Sequence, residues 1–175
     1  MEILFISIAF LGFLGLIFFQ VRKKNPKHKK NIETSSEVLK KIRSFSGEYA
    51  SAKLFTYIRK ISPYVFEELL LTVFEENNYK VIRNKRYSGD GGIDGVVFKD
   101  GNKYLIQAKR YSGNIQKKHI KSFENVIIKE KAEGGFFIHT GRTGKKIPFE
   151  KTDKIKILSG ERLVKFIRLE LNTIH

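Results

Sequence analysis

An Asp-Gly pair at 100–101, set between two short runs of apolar and β-branched residues, is the feature that most limits how this chain can fold. Asp-Gly supplies the left-handed backbone that a two-residue hairpin turn requires. Ile93–Phe98 and Tyr104–Lys109 are therefore expected to pair as antiparallel strands. Side chains alternate across a strand, so Gln107 and Lys109 share one face and Ala108 takes the other. Asp94, at the start of the partner strand, stands near both. Asp is common in turns and Lys on exposed strands, but Lys109 closes the apolar run Tyr104-Leu105-Ile106, where an unpaired ammonium is costly to bury. A carboxylate, an amide and an ammonium thus meet at one end of a hairpin.

The elements around that hairpin follow from periodicity. Ser62 can cap a helix and Pro63 suits its first turn, with Phe66, Leu69, Leu70, Val73 and Phe74 as its apolar stripe and Asn77-Asn78 at its end. Tyr79–Arg83 reads as a short strand, and residues 88–92 (Ser-Gly-Asp-Gly-Gly) as a turn that Asp90 helps to shape. Ile115–Lys131 reads as a helix with Ile120, Phe123, Val126 and Ile127 inward. Phe136–Thr140 and Lys154–Leu158 read as strands, and Ser159 opens a last helix reaching Leu169. The order is helix, three strands, helix, strand, strand, helix, which is an α/β fold with a mixed central sheet flanked by helices. Upstream, Ser35–Ile61 is helix-like, broken near Gly47, and is expected to be a spacer or a dimerising helix. Three segments result: 1–21, 22–61 and 62–175.

Charge and hydropathy divide the same way. The net charge of +16 calls for a polyanion partner, nucleic acid or anionic lipid. Residues 3–19 carry no charge, close to the roughly 20 residues a spanning helix needs. Glu2 precedes the run, basic residues follow it, and no signal-peptide cleavage site is present. A single-pass membrane anchor is expected, and the basic block Arg22–Lys30 places everything downstream in the cytoplasm. Arg22–Asn31 reads as a juxtamembrane linker on anionic headgroups. Residues 44–175 hold a further basic excess that the anchor does not explain. Cysteine is absent, which removes disulfides, thiolate zinc sites and thiol nucleophiles. The four histidines show no ligand spacing, and His139 reads as a packed or capping residue. Residues 141–146 lack a phosphate-loop pattern, which excludes a nucleotide triphosphatase.

Phosphodiester hydrolysis suits the hairpin set. A hard cation takes oxygen ligands and polarises phosphate. Asp94 and the Gln107 carbonyl could supply two ligands and the Ala108 backbone carbonyl a third. Lys109 could position the attacking water or meet charge on phosphorus, and Glu67 could reach the same metal through water. Lys85, Arg86, Arg110 and Tyr111 flank the pocket and suit DNA phosphates, as do Arg142, Lys145 and Lys146 after a later strand.

Phe66-Glu67, the run from Gly89 to Asp94 and the run from Gln107 to Tyr111 together resemble the Mrr-type restriction endonuclease domain. This is a branch of the PD-(D/E)xK nucleases in which Gln replaces the usual Glu. The resemblance extends from Ser62 to Ile167. It implies a restriction-endonuclease-like fold and Mg²⁺-dependent cleavage of double-stranded DNA, Mn²⁺ substituting, often against foreign or modified DNA. It assigns Asp94 to the metal, Gln107 to the metal side, Lys109 as the catalytic lysine, and Glu67 rather than Glu68 as the helix glutamate. Ala108 stands where relatives often have Cys, and Asn77-Asn78 where a Gly is usual. Cutting both strands needs two active sites or two visits, so a homodimer is one expectation. The competing expectations are a catalytically inactive DNA-binding module of the same fold, and a lipid-surface protein whose basic linker is its working part.

Overall fold

The computed structural model describes residues 26–84, 92–143 and 154–170. The chain divides into two compact units, Met1–Lys30 and Asn31–His175. Of the first, only Pro26–Lys30 is described, as the opening of helix α1 (Pro26–Arg43). The expected anchor at 1–21 lies outside the described residues, among which no helix is long and apolar enough to cross a membrane. The linker expected at 22–31 is corrected in part: Pro26–Asn31 is helical. Proline suits a helix start, where its missing N–H would have had no partner.

After α1 come α2 (Ala50–Ile58) and α3 (Pro63–Glu76), then strands β1 (Lys80–Arg83), β2 (Gly95–Lys99) and β3 (Asn102–Lys109). Helix α4 (Lys117–Lys129), strands β4 (Gly134–His139) and β5 (Ile155–Leu158), and α5 (Gly160–Ile167) complete the order. The sheet runs β1-β2-β3-β4-β5. Its first three strands are antiparallel neighbours, and β3, β4 and β5 are parallel. The turn behaves as its sequence requires. Asp100 and Gly101 both have positive φ, 51° and 83°, and Lys99 pairs with Asn102. Asn78 takes a φ of 63° just past α3, the left-handed role a Gly would otherwise fill. Ser62 and Ser159 hold the expected N-cap positions, but neither side chain makes a capping bond.

Alternation gives the sheet two faces. Ile106, Ala108, Phe136, Ile138 and Leu158 face a core built from α1, α2, α3 and α5. Leu105, Phe137, Ile155 and Ile157 face α4 through Ile120, Phe123 and Ile127. Val38, Leu39 and Ile42 of α1, with Leu54 and Ile58 of α2, are buried in the first core beside Phe66, Leu70 and Phe166. The segment expected as a spacer is therefore packed into the domain, because its apolar spacing is a core face. Phe74 sits at the centre, its ring 4.9 Å from Phe136, 4.7 Å from Phe166 and 5.2 Å from Tyr79. On the other face Gly135 lets α4 come close. A Cβ there would lie 2.6 Å from the Phe123 ring.

Candidate active site

Register places the expected residues. Gly95 opposes Ile106, so Asp94 and Gln107 face each other just past the last ladder pair. The Asp94 N–H donates to the Ile106 carbonyl at 2.8 Å, which continues the ladder by one bond. The chain then leaves β3, and the Asp94 side chain takes over: its Oδ2 accepts the Ala108 N–H at 2.6 Å. The carboxylate is thereby held in the plane of the sheet. A strand residue's N–H and C=O leave on the same edge. The Ala108 carbonyl therefore emerges on the edge that Asp94 occupies.

Gln107 is buried, at 7% exposure, and its Nε2 donates to the Gly92 carbonyl at 2.8 Å. A carbonyl only accepts, so this bond fixes which end of the amide is nitrogen. The Oε1 is left as the outward acceptor, with no hydrogen bond among the described residues. Gly92 has a φ of 87°, and a Cβ there would meet the Gln107 Nε2 at 2.8 Å. Sequence reasoning read this glycine only as part of a turn. The signal lay in the doubled glycine just before Ile93-Asp94.

Lys109 is half-buried on the face of Gln107, and its ammonium makes no ion pair among the described residues. Glu67 is half-buried near the start of α3. That helix packs on the opposite face, the one carrying Ile106 and Ala108. The structure thus brings Asp94, Gln107 and Lys109 together and sets Glu67 across the sheet from the last two. Glu68 has a different task. It is 1% exposed and accepts from Arg83 Nε at 2.9 Å, and Arg83 also pairs with Glu75. Burial works against the charged Arg83, but the two carboxylates outweigh it and raise its pKa. Glu68 is consumed in clamping α3 to β1.

The flanking basic residues divide. Lys85, Arg86, Lys145 and Lys146 lie outside the described residues, as does Asp90. Arg110 is exposed, and its Nη1 donates to the Arg59 carbonyl. Arg59 in turn donates through Nε to the Thr140 carbonyl at 3.0 Å, a contact no sequence pattern announced. Tyr111 is half-buried and stacked on His119, ring centres 5.8 Å apart. Its carbonyl accepts the Thr140 hydroxyl at 2.7 Å. The loops after β3 and β4 are zipped together beyond these residues: Arg142 N–H donates to Gly113, and Ile115 N–H to Arg142. Gly141 is required there, since a Cβ would sit 2.3 Å from the Gly113 oxygen.

The donor set fits a hard cation. It offers an oriented carboxylate, an amide oxygen turned outward and a main-chain carbonyl on one strand edge. Among the described residues no three His, Cys, Asp or Glu side chains form a metal cluster.

The restriction endonuclease family Mrr_cat matches residues 58–167. No curated protein matches the chain. Among solved structures, a "DNA modification-dependent restriction endonuclease AspBHI" is similar, with a TM-score of 0.51 and 18% identity over 74% of this chain. At that identity the likeness is one of fold, and this chain spans 38% of that protein's length.

Proposed function

We propose, for a chain that belongs to the Mrr_cat family of restriction endonucleases, that it hydrolyses phosphodiester bonds of double-stranded DNA with a divalent metal. The observation that carries the reading is the convergence of Asp94 on the Ala108 N–H and Gln107 on the Gly92 carbonyl, with Lys109 on the face of Gln107. Asp94, the Gln107 Oε1 and the Ala108 carbonyl would hold the cation, Mg²⁺ with Mn²⁺ as a substitute. When bound, such an ion polarises the phosphate and acidifies a water. Lys109 orients that water or meets the charge that grows on the phosphate oxygens. Glu67 contributes through water from the α3 side. Arg110, Tyr111, Lys85 and Arg86 contact the DNA backbone.

We extend the reading to the whole chain. The uncharged run at 3–19 is a single membrane span, the basic block behind it keeps the nuclease on the cytoplasmic side, and a homodimer supplies one site per strand. Membrane fractionation of the full chain, before and after deleting residues 3–19, tests the tether.

Incubating the full chain with supercoiled plasmid in Mg²⁺, Mn²⁺ or EDTA, beside Asp94→Ala, tests the nuclease. Metal-dependent nicking or linearisation absent from the variant is expected. DNA binding without cleavage, on unmodified and on methylated plasmid alike, would favour the second reading, an inactive DNA-binding module. One observation supports that rival: the Asp94 carboxylate already has a structural use, closing the ladder at Ala108.

A further inference from the structure

We propose that His139 is a positioning residue for Lys109, held in place by a hydroxyl chain through Thr143 to Ser159. This rests on the nuclease reading for its consequence but not for its geometry. In the β3–β4 ladder Lys109 is paired with His139. Paired residues of adjacent strands project to the same face, with strands about 4.8 Å apart. The imidazole therefore flanks the stem of Lys109. His139 is fully buried, at 0% exposure. Its Nε2 lies 3.1 Å from the Thr143 hydroxyl, which lies 2.8 Å from the Ser159 hydroxyl just before α5. Its Nδ1 is buried without a well-formed hydrogen bond among the described residues, and the ring interacts only weakly with the Gly141 backbone.

A valine or isoleucine would fill the end of a buried strand without burying a polar ring. The rest of β4 is apolar or glycine and buried throughout. The histidine is the exception, at the one position beside the proposed catalytic lysine. Burial pushes its pKa down to about 4, against a weaker opposing pull from the Gly141 backbone. Near neutral pH the ring is therefore uncharged. The hydroxyl chain fixes the plane of the ring, and the flat ring limits the rotamers of the lysine stem. The lysine is thus aimed along the face of Gln107 rather than swept into solvent. The same chain ties residue 143, beyond the zipped loops, to the start of α5.

The test compares the full chain with His139→Phe, Thr143→Val and Thr143→Ser. Acetic anhydride labelling, read by mass spectrometry, gives the reactivity of Lys109 relative to exposed Lys129. Single-turnover cleavage, DNA affinity and the unfolding midpoint are measured on the same samples. His139→Phe and Thr143→Val are expected to raise the relative labelling of Lys109. They should also slow cleavage by about tenfold to a hundredfold, the cost of misplacing a reacting group, with DNA affinity unchanged. Thr143→Ser should restore both readouts. Unchanged Lys109 labelling in folded His139→Phe and Thr143→Val overturns the proposal, whatever happens to the midpoint. If the unaltered chain cuts no DNA, the nuclease reading fails, and the labelling ratio still decides the inference.

Discussion

Asp94 joins two roles that separate by substitution. Its carboxylate closes the β2–β3 ladder at Ala108, and it is the proposed anionic metal ligand. Asp94→Asn keeps an oxygen for the Ala108 N–H but loses the charge. It should lower the unfolding free energy by about 1 kcal/mol or less, since a charge-assisted bond becomes a neutral one, while abolishing cleavage. Urea unfolding beside a plasmid assay checks both halves, and loss of fold without a change in cleavage per folded molecule would sink the assignment. His139 gives a pH signature. Its pKa falls from 6.5 in the open chain to about 4 in the fold, so the unfolded form binds more proton between those values. Stability from this group is full above pH 6.5 and is lost as pH falls toward 4, by about 3 kcal/mol in all. His139→Gln, which does not titrate, should flatten that part of the curve of unfolding free energy against pH. The juxtaposition of Asp94, Gln107 and Lys109 was legible in the sequence because hairpin register is a local property. Gly92, Arg59, Thr143 and Ser159 were not, because each acts through a partner fixed only by the tertiary fold.

At the scale of elements, two close approaches matter more than any cap. Gly135 lets α4 lie on the sheet, and a Cβ there would collide with Phe123 and Ile127. Gly135→Ala should lower stability by about 1–3 kcal/mol, the usual range for overpacking a core. A thermal melt would show it, and an unchanged midpoint would mean that α4 shifts freely. Ser62 and Ser159 mark where helices start without bonding to them, so position followed from sequence while the capping bond did not. The strands were legible nearly to their ends. The short misses, such as β2 beginning at Gly95 rather than Ile93, arise because Asp94 replaces main-chain pairing with its side chain.

For the molecule as a whole, the packing of α1 and α2 is what the sequence left open. The spacing of Val38, Leu39, Ile42, Leu54 and Ile58 was visible, but sequence alone did not say what those residues would cover. They cover the same core as Phe66, Phe74 and Phe166. A fragment of residues 62–175 should therefore fail to give a cooperative unfolding transition, whereas one beginning at Asn31 should give it. Equal cooperativity in the two would return α1 and α2 to the role of spacer. Gln107 gives the proposed centre one negative charge fewer than a carboxylate at that position would, before any cation arrives. A centre with two carboxylates would repel an incoming phosphate until metal cancelled them. On the proposed function that repulsion is smaller here, and DNA is expected to bind before the metal does. DNA affinity measured in EDTA should nearly equal that in Ca²⁺, and Gln107→Glu should make it depend on the cation.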